Sequence, residues 1–232
     1  VLFDVGALLA HGKTEKAAIH RISSKEIGGY SVLAPTSRRK KPVTVYFVAR
    51  FNQNMTAFGG WEKEGKEKKL VHKNSIEGAD IGKLKKQTLL MKVGISYVSE
   101  EQARINLEKE LAHWNFDRVK EDAFAEWNRE LGKITVEGGS EEEKIKFYTD
   151  LWHSLLGRHT FSDFNGKYID NTGEEPVVRQ VPLDNGTPTR NTYNSDAFWG
   201  SEFNLNILWS IAYPKVMSEF VSTLVDYYTN GG

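Results

Sequence analysis

The hydrophobic period of the chain changes near Ser99, and this change limits the possible folds more than any other feature of the sequence. Before it, residues 43–51 and 89–98 are rich in β-branched and aromatic side chains, as half-buried strands are. Turn-forming Gly, Pro, Asn and Ser separate these runs, and no good helical period occurs among them. The first half of the chain therefore predicts an antiparallel β-sandwich.

After Ser99 the apolar residues recur at helical spacing, and two capping boxes mark helix starts. The two boxes are formed by Ser99 with Gln102 and by Ser140 with Glu143. In each box the serine hydroxyl can accept a hydrogen bond from an unpaired backbone N–H of the first turn, and the longer side chain can accept one from the serine backbone N–H. Helices are predicted to start at Ser99, Asp117, Ser140, Ser201 and Pro214. The fourth of them is predicted to continue as far as Tyr213.

Apolar stripes indicate how the first and last of these helices pack. In the first helix the residues that share one face are Ala103, Leu107, Leu111 and Trp114. In the last helix the predicted buried side consists of Val216, Phe220, Leu224 and Tyr228, widened by Val221 and Val225. A strand-rich first half followed by such helices predicts the α+β fold class.

The composition excludes several classes of protein. The chain has 31 basic and 31 acidic residues and no net charge, which argues against a nucleic-acid partner. It has no cysteine, so thiol catalysis, disulfides and thiolate zinc sites are excluded. No apolar run approaches the roughly 20 residues that span a bilayer, and no membrane-spanning segment is predicted. Because the chain starts in a strand without methionine and stops after a helix, we expect both ends to be cuts through a longer polypeptide.

Motifs for nucleotide binding, zinc-protease or serine-hydrolase chemistry do not occur in the sequence. The six histidines show no metal-ligand spacing and no EF-hand loop is present, so no residue is assigned to a metal. Glycoside hydrolysis needs two carboxyl groups, one on each side of the scissile bond. Spacing alone chooses no pair among the candidate acids, which are Asp163, Asp170, Glu174, Glu175, Asp184, Asp196 and Glu202.

Two segments of the last third, residues 161–168 and 193–204, combine aromatic rings with amide and carboxylate side chains. Aromatic faces cover the C–H patches of sugars, while the polar side chains hydrogen-bond the hydroxyls. Both segments are predicted to lie in a loop or at a helix start, where binding sites tend to form. The candidate sugar-contacting residues are Asp163, Asp196, Phe198, Trp199, Glu202 and Asn204. The competing interpretation is that the tryptophans fill helix interfaces.

The chain resembles glycoside hydrolase family 92 in several segments that occur in the family's order. The matching segments are residues 46–51, 92–99, 101–108, 147–156, 161–163 and 165–168, of which 92–108 is the most specific. The resemblance implies an N-terminal β-sandwich, a helical linker and an (α/α)₆ toroid. By this resemblance, residues 1–98 correspond to the C-terminal part of the sandwich and residues 99–139 to the linker. Residues 140–232 correspond to the first helices of an incomplete toroid.

The resemblance also implies an activity, which is the calcium-dependent, inverting removal of terminal α-linked mannose from glycans. The general acid, the base and the Ca²⁺ ligands of the family come from later toroid loops, so we expect them beyond Gly232 and assign no catalytic residue here. The implied partners are a glycan substrate and the remaining C-terminal part of the same polypeptide. The implied location is periplasmic or extracellular, and we expect residues 1–232 alone to be inactive and to aggregate or stay poorly folded.

One departure from the family pattern concerns the sugar. Many active members carry a Trp-Asp-Thr motif that holds the terminal mannose, whereas this chain has Trp199, Gly200 and Ser201, followed by Glu202. Losing a charged hydrogen bond of about 1.5–3 kcal/mol weakens mannose binding roughly ten- to a hundredfold, unless Asp196 or Glu202 compensates. The alternatives are therefore a glycosidase with another sugar specificity, or a non-catalytic carbohydrate-binding protein on the same fold. A third alternative is a structural domain whose aromatic residues form the core.

Overall fold

The computed structural model describes residues 2–7, 12–37, 39–64, 67–71, 78–80, 88–157, 159–194 and 198–231, without the side chains of residues 2, 61–64, 67–71, 78–80, 198 and 199. The chain forms two compact units. The strand unit comprises Val1–Trp114, Asp163–Asn171 and Val177–Gln180. The helical unit comprises Asn115–Ser162, Thr172–Pro176 and Val181–Gly232.

The strand unit contains, before residue 99, strands that pair in two antiparallel sheets. In chain order the strands are β1 (Leu2–Asp4), β2 (Thr14–Arg21), β3 (Glu26–Leu33), β4 (Val43–Phe51), β5 (Gly59–Glu64), β6 (Glu67–Val71), β7 (Gly78–Asp80) and β8 (Met91–Ser96). One sheet has the order β2-β3-β4-β8 and the other the order β1-β7-β5-β6. The register of the first sheet places Tyr46 of β4 between Tyr30 of β3 and Ser96 of β8.

The core of the strand unit lies between these sheets. Its fully buried members are Ile19, Ile27, Ala49, Phe51 and Met55. Phe3 of β1 meets Phe51 of β4 edge-on, with the ring centroids 5.8 Å apart, so the two sheets are in contact. The predicted antiparallel sandwich is confirmed.

Helix α1 (Glu100–Glu110) packs on the other face of the first sheet, against β8 and β4. Ala103 and Leu107 are buried there with Val48 of β4. The backbone of α1 lies so close to β8 that a Cβ at Gly94 would be 2.2 Å from the Ala103 carbonyl oxygen. This contact explains why a glycine occurs inside the strand. Trp114, predicted to extend the same helix face, instead follows the helix end, and its ring lies 4.6 Å from the Lys92 ammonium.

The helical unit contains α2 (Phe116–Leu131), α3 (Glu141–Leu155), α4 (Phe198–Ser201), α5 (Leu205–Ala212) and α6 (Pro214–Thr229). Ser140 and Glu143 form the complete capping box predicted for α3. Ser99 accepts the Gln102 amide as predicted, although the return bond from the glutamine side chain is not formed. Leu151, Trp209 and Tyr213 form the buried core of this unit. No helix among the described residues is long and apolar enough to cross a bilayer.

Two expectations for the second half were wrong in detail. The helix predicted from Ser201 to Tyr213 begins later, at Leu205, because the chain turns at residues 202–204 after the short helix α4. The region between α3 and α4 contains short strands, which are β9 (Lys167–Asp170), β10 (Val177–Gln180), β11 (Leu183–Asp184) and β12 (Thr187–Pro188). The buried side of α6 is Glu219, Phe220 and Thr223, while Tyr228 is 80% exposed, because this helix packs against a polar segment.

The domain boundaries placed at residues 98 and 139 stay predictions. The strand unit ends its first segment at Trp114 and takes up two later segments, which hold β9 and β10. These two strands pair antiparallel, with Ile169 opposite Val178.

Candidate functional site

Residues 190–194 of the helical unit, which lead to the sugar-recognition segment predicted from the sequence, are bound to α6. The Tyr193 hydroxyl donates to the Glu219 carboxylate at 2.9 Å, and the Asn191 amide nitrogen lies 3.4 Å from the same oxygen. Arg190 forms an ion pair of 2.6 Å with Asp226. Side chains of α6 therefore bind three of these five residues.

Tyr193 and Glu219 are both buried, at 7% exposure each. Burial raises the pKa of Tyr193 well above its ordinary value, and the hydrogen bond to the Glu219 carboxylate raises it further. The phenol therefore stays protonated at neutral and mildly alkaline pH and keeps its proton available for the carboxylate. This arrangement stabilises a negative charge that would otherwise be costly to bury.

Sequence reasoning missed Glu219 as a member of the candidate site. A signal was present, since a single acid adjoins Phe220 within the apolar pattern of α6. A charged residue in a buried stripe is retained only where it has a partner, so it marks a specific polar contact.

The predicted sugar-contacting residues 198–204 form α4 and the turn that follows it. Ser201 is buried and its hydroxyl donates to Asn206 Oδ1 at 3.1 Å. Glu202 and Asn204 are exposed, and Asn204 precedes α5 without capping it through its side chain. Exposed carboxylate and amide groups of this kind remain available to bind sugar hydroxyls.

Gly200 lies in α4 with open space around it. A Cβ added there would meet no atom within 4 Å, and its φ is not in the left-handed region. The described part of the structure therefore accommodates a longer side chain at this position.

Three of the candidate sugar-contacting residues are not described at the level of their side chains. Asp196 lies outside the described residues, and for Phe198 and Trp199 only the backbone, in α4, is described. The sugar contacts assigned to these three residues stay predictions.

Asp163, the remaining candidate, belongs to the strand unit. Its carboxylate accepts hydrogen bonds from Ser96 Oγ at 2.9 Å and Asn106 Nδ2 at 2.8 Å. The Asn106 side-chain oxygen also accepts a hydrogen bond from the Phe164 backbone N–H. Together these hydrogen bonds connect the start of residues 163–171 to β8 and α1. Burial raises the pKa of Asp163, against the lowering effect of these hydrogen bonds. A sugar contact by Asp163 stays a prediction.

A cavity of about 600 Å³ lies within the helical unit, near the C-terminal end of α5. Trp127, Tyr193, Trp209 and Tyr213 contribute aromatic surface to it, and Glu219 contributes a carboxylate. Asp163, Glu202 and Asn204, the candidate sugar-contacting residues whose side chains the structure describes, are not among its lining residues. Residues 198–204 precede the other end of α5.

Metal ions are commonly held by clusters of acidic and histidine side chains. No group of three or more His, Asp or Glu side chains among the described residues lies close enough to hold a metal ion. The expected calcium ion is therefore assigned to no residue of the described ranges.

The family models that match this chain are those of one family, in chain order. The model described as the glycosyl hydrolase family 92 N-terminal domain matches residues 1–96. The model described as the glycosyl hydrolase family 92 catalytic domain matches residues 102–232. The change from strands to helices near Ser99 falls between the two matches.

Individual relatives agree with these matches. The chain is 30% identical over 90 residues to an uncharacterized secreted glycosidase of Arthroderma benhamiae, over 37% of this chain and 10% of that protein. A family GH92 α-mannosidase from Bacteroides thetaiotaomicron superposes with a TM-score of 0.74 at 21% identity, over 94% of this chain and 29% of that one. A family GH92 inverting mannosidase from the same organism superposes with a TM-score of 0.75 at 20% identity, with the same coverage. The chain thus spans less than a third of each relative.

Proposed function

The chain belongs to glycosyl hydrolase family 92, and on this premise we propose that the full-length protein is a glycosidase that releases terminal α-linked mannose from glycans. The observation that carries the proposal is the pair of family models, which match the N-terminal and catalytic domains in chain order over most of the sequence. The superposition on mannosidases supports the fold on which this chemistry depends. We propose inversion at the anomeric carbon and a requirement for calcium as parts of the same function.

The part of this chain in the reaction is to hold the terminal sugar. We place Trp199 and Phe198 against the C–H face of the ring, where aromatic surface replaces water. We place Asp196, Glu202 and Asn204 at the hydroxyls, and the exposure of Glu202 and Asn204 supports this. The acid, the base and the calcium ligands are proposed to come from other parts of the full-length protein.

The enzyme is proposed to act outside the cytoplasm, in the periplasm or the extracellular medium. The curated relative is described as a secreted glycosidase, which supports this location.

One observation favours a second candidate within the same family. Gly200 stands where many active mannosidases of the family carry aspartate, and it leaves open space in α4. A substituted or different sugar would fit into this space. The second candidate is therefore a glycosidase with another sugar specificity, or a non-catalytic glycan-binding protein.

The deciding experiment is a hydrolysis screen of the full-length protein on α-mannosides and other terminal α-glycosides, with calcium and with a chelator. Release of mannose that stops on chelation and returns with calcium supports the main proposal. Release of another monosaccharide supports altered specificity, whereas glycan binding without release supports the non-catalytic alternative. NMR of the first-formed anomer tests inversion.

A further inference from the structure

Three polar groups on one face of α6 bind a single residue, Tyr193. The Tyr193 hydroxyl donates a hydrogen bond to Glu219 at 2.9 Å, and the Tyr193 backbone N–H donates one to the Thr223 hydroxyl at 3.3 Å. The Tyr193 carbonyl accepts a hydrogen bond from the Tyr227 hydroxyl at 3.3 Å. These helix residues are spaced by four, so they lie along one face on successive turns. The helix thereby fixes both the backbone and the side chain of Tyr193.

The opposite side of the same segment is also bound. The Phe161 amide donates to the Thr192 carbonyl at 2.7 Å, and the Thr192 amide donates to Ser162 Oγ at 3.1 Å. The backbone of Asn194 donates to the His159 carbonyl at 3.1 Å. Residues 192–194 are therefore held between α6 and residues 159–162.

This fixed segment is followed within a few residues by α4. Tyr193 precedes Phe198, the first residue of α4, by five positions, and Ser201 at the end of α4 is bound to Asn206 of α5. The end of α4 is thus bound to α5, and its start follows Tyr193 by five positions in the sequence. Displacing a group that binds the sugar equally in the ground state and the transition state raises KM and leaves kcat unchanged.

We infer that Glu219 and Tyr193 are positioning residues, which hold the segment before α4 on α6 and so set where Trp199 and Glu202 are presented to the terminal sugar. This inference rests on the proposed function for its readout in sugar binding. Neither residue is assigned a contact with the sugar.

The test uses the full-length protein with Tyr193→Phe, Glu219→Gln and Glu219→Ala. We expect Tyr193→Phe and Glu219→Ala to raise KM for a small α-mannoside about tenfold or more, with kcat changed less than threefold. Glu219→Gln retains an acceptor for the phenol and is expected to recover most of the loss seen in Glu219→Ala. Assays run well below the Tm of each variant, so that only folded protein is compared.

Two control variants on α6 separate positioning from simple destabilisation. Phe220→Leu removes buried volume beside Glu219, and we expect it to lower Tm while leaving KM unchanged. Ser222→Ala removes an exposed hydroxyl that bonds only within the helix, and we expect it to change neither. If Phe220→Leu raises KM as much as Glu219→Ala at an equal loss of stability, the inference is overturned.

A second readout does not depend on the sugar. Hydrogen exchange of the backbone amides of residues 193 and 194, which are bonded to Thr223 and to the His159 carbonyl, should be faster in Tyr193→Phe and Glu219→Ala, with no change in α3. Unchanged exchange at these two amides refutes the positioning role even if the wild type is an active mannosidase. Faster exchange in the variants of a protein that shows no mannosidase activity supports the positioning role and counts against the proposed function alone.

Discussion

The carboxylate of Asp163 accepts a hydrogen bond of 2.8 Å from Asn106, a residue 57 positions earlier in the chain. Its other oxygen accepts the Ser96 hydroxyl, so one buried side chain joins β8, α1 and the start of residues 163–171. The sequence predicts a sugar contact for Asp163 because this residue lies among aromatic and polar residues. The structure gives it a role in stabilising the strand unit, whatever it contributes to binding.

Replacing Asp163 by alanine is expected to lower the stability of the full-length protein by about 1–3 kcal/mol, because buried donors on Ser96 and Asn106 lose their acceptor. Urea denaturation measures the loss. Asp184→Ala, at an exposed hairpin position, is the matched control and should stay within about 0.5 kcal/mol of the wild type. Equal effects of the two substitutions would contradict the buried role.

Asp163 also predicts a pH dependence of stability. Burial raises its folded pKa above the unfolded value of about 3.9, so the folded state binds the proton more tightly. Its contribution to stability therefore falls as pH rises from about 4 through the folded pKa. Glu110, whose pKa is raised by burial and by the Asp163 charge, acts in the same direction.

The measurement compares wild type with Asp163→Asn in urea from pH 4 to pH 8. We expect the stability of the wild type relative to this variant to decrease across the acidic part of that range. A relative stability that instead increases with pH would show that the hydrogen bonds from Ser96 and Asn106 outweigh burial.

Gly200→Asp is expected to strengthen mannose binding about ten- to a hundredfold, since the family's aspartate would supply a charged hydrogen bond of about 1.5–3 kcal/mol. The open space at Gly200 admits the side chain. Calorimetry or inhibition by free mannose measures the gain. Gly200→Ala adds the Cβ without the carboxylate, and a gain of the same size there would exclude the hydrogen bond as the cause.

Trp199→Ala is expected to weaken sugar binding by roughly tenfold or more with little loss of stability, if its ring covers the sugar. Trp152, whose ring contacts the Trp127 ring edge-to-face in the helical unit, provides the control. Trp152→Ala should lower Tm and leave binding intact. A Trp199 variant that loses stability and keeps its glycan affinity would favour the structural alternative.

Gly94→Ala is expected to destabilise the strand unit by about 1–3 kcal/mol, because its methyl group would collide with the Ala103 carbonyl oxygen. Gly157→Ala, where an added Cβ meets no atom within 4 Å, is the control. Thermal unfolding followed by circular dichroism distinguishes the two. A stable Gly94 variant would mean that α1 can move away from β8 at little cost.

The sequence predicted those elements that local chemistry determines. The sandwich followed from β-branched runs, and α3 began at Ser140 because its capping box needs only residues three apart. The β11–β12 hairpin was also predictable in principle, since Asn185 and Gly186 have positive φ and Asn-Gly is a strong hairpin signal. No hairpin was predicted there, although residues 158–196 are mostly polar and rich in turn-forming residues.

Other features depend on contacts between distant parts of the chain, and local patterns do not contain them. The burial of Glu219 depends on Tyr193, which comes 26 positions earlier. The late start of the helix predicted from Ser201 depends on a turn at residues 202–204 that no proline marks. The family resemblance supplied the candidate segment around Trp199, whereas spacing alone selected no pair of acids.

The strand unit is assembled from three separate stretches of sequence, the last of which ends at Gln180. A truncation between the first of these stretches and the last therefore removes part of the unit. Truncation after residue 98 removes α1 together with β9 and β10, and truncation after residue 139 still removes both strands. Expression of an isolated, intact strand unit requires the chain as far as Gln180, including the α2 and α3 residues that interrupt it.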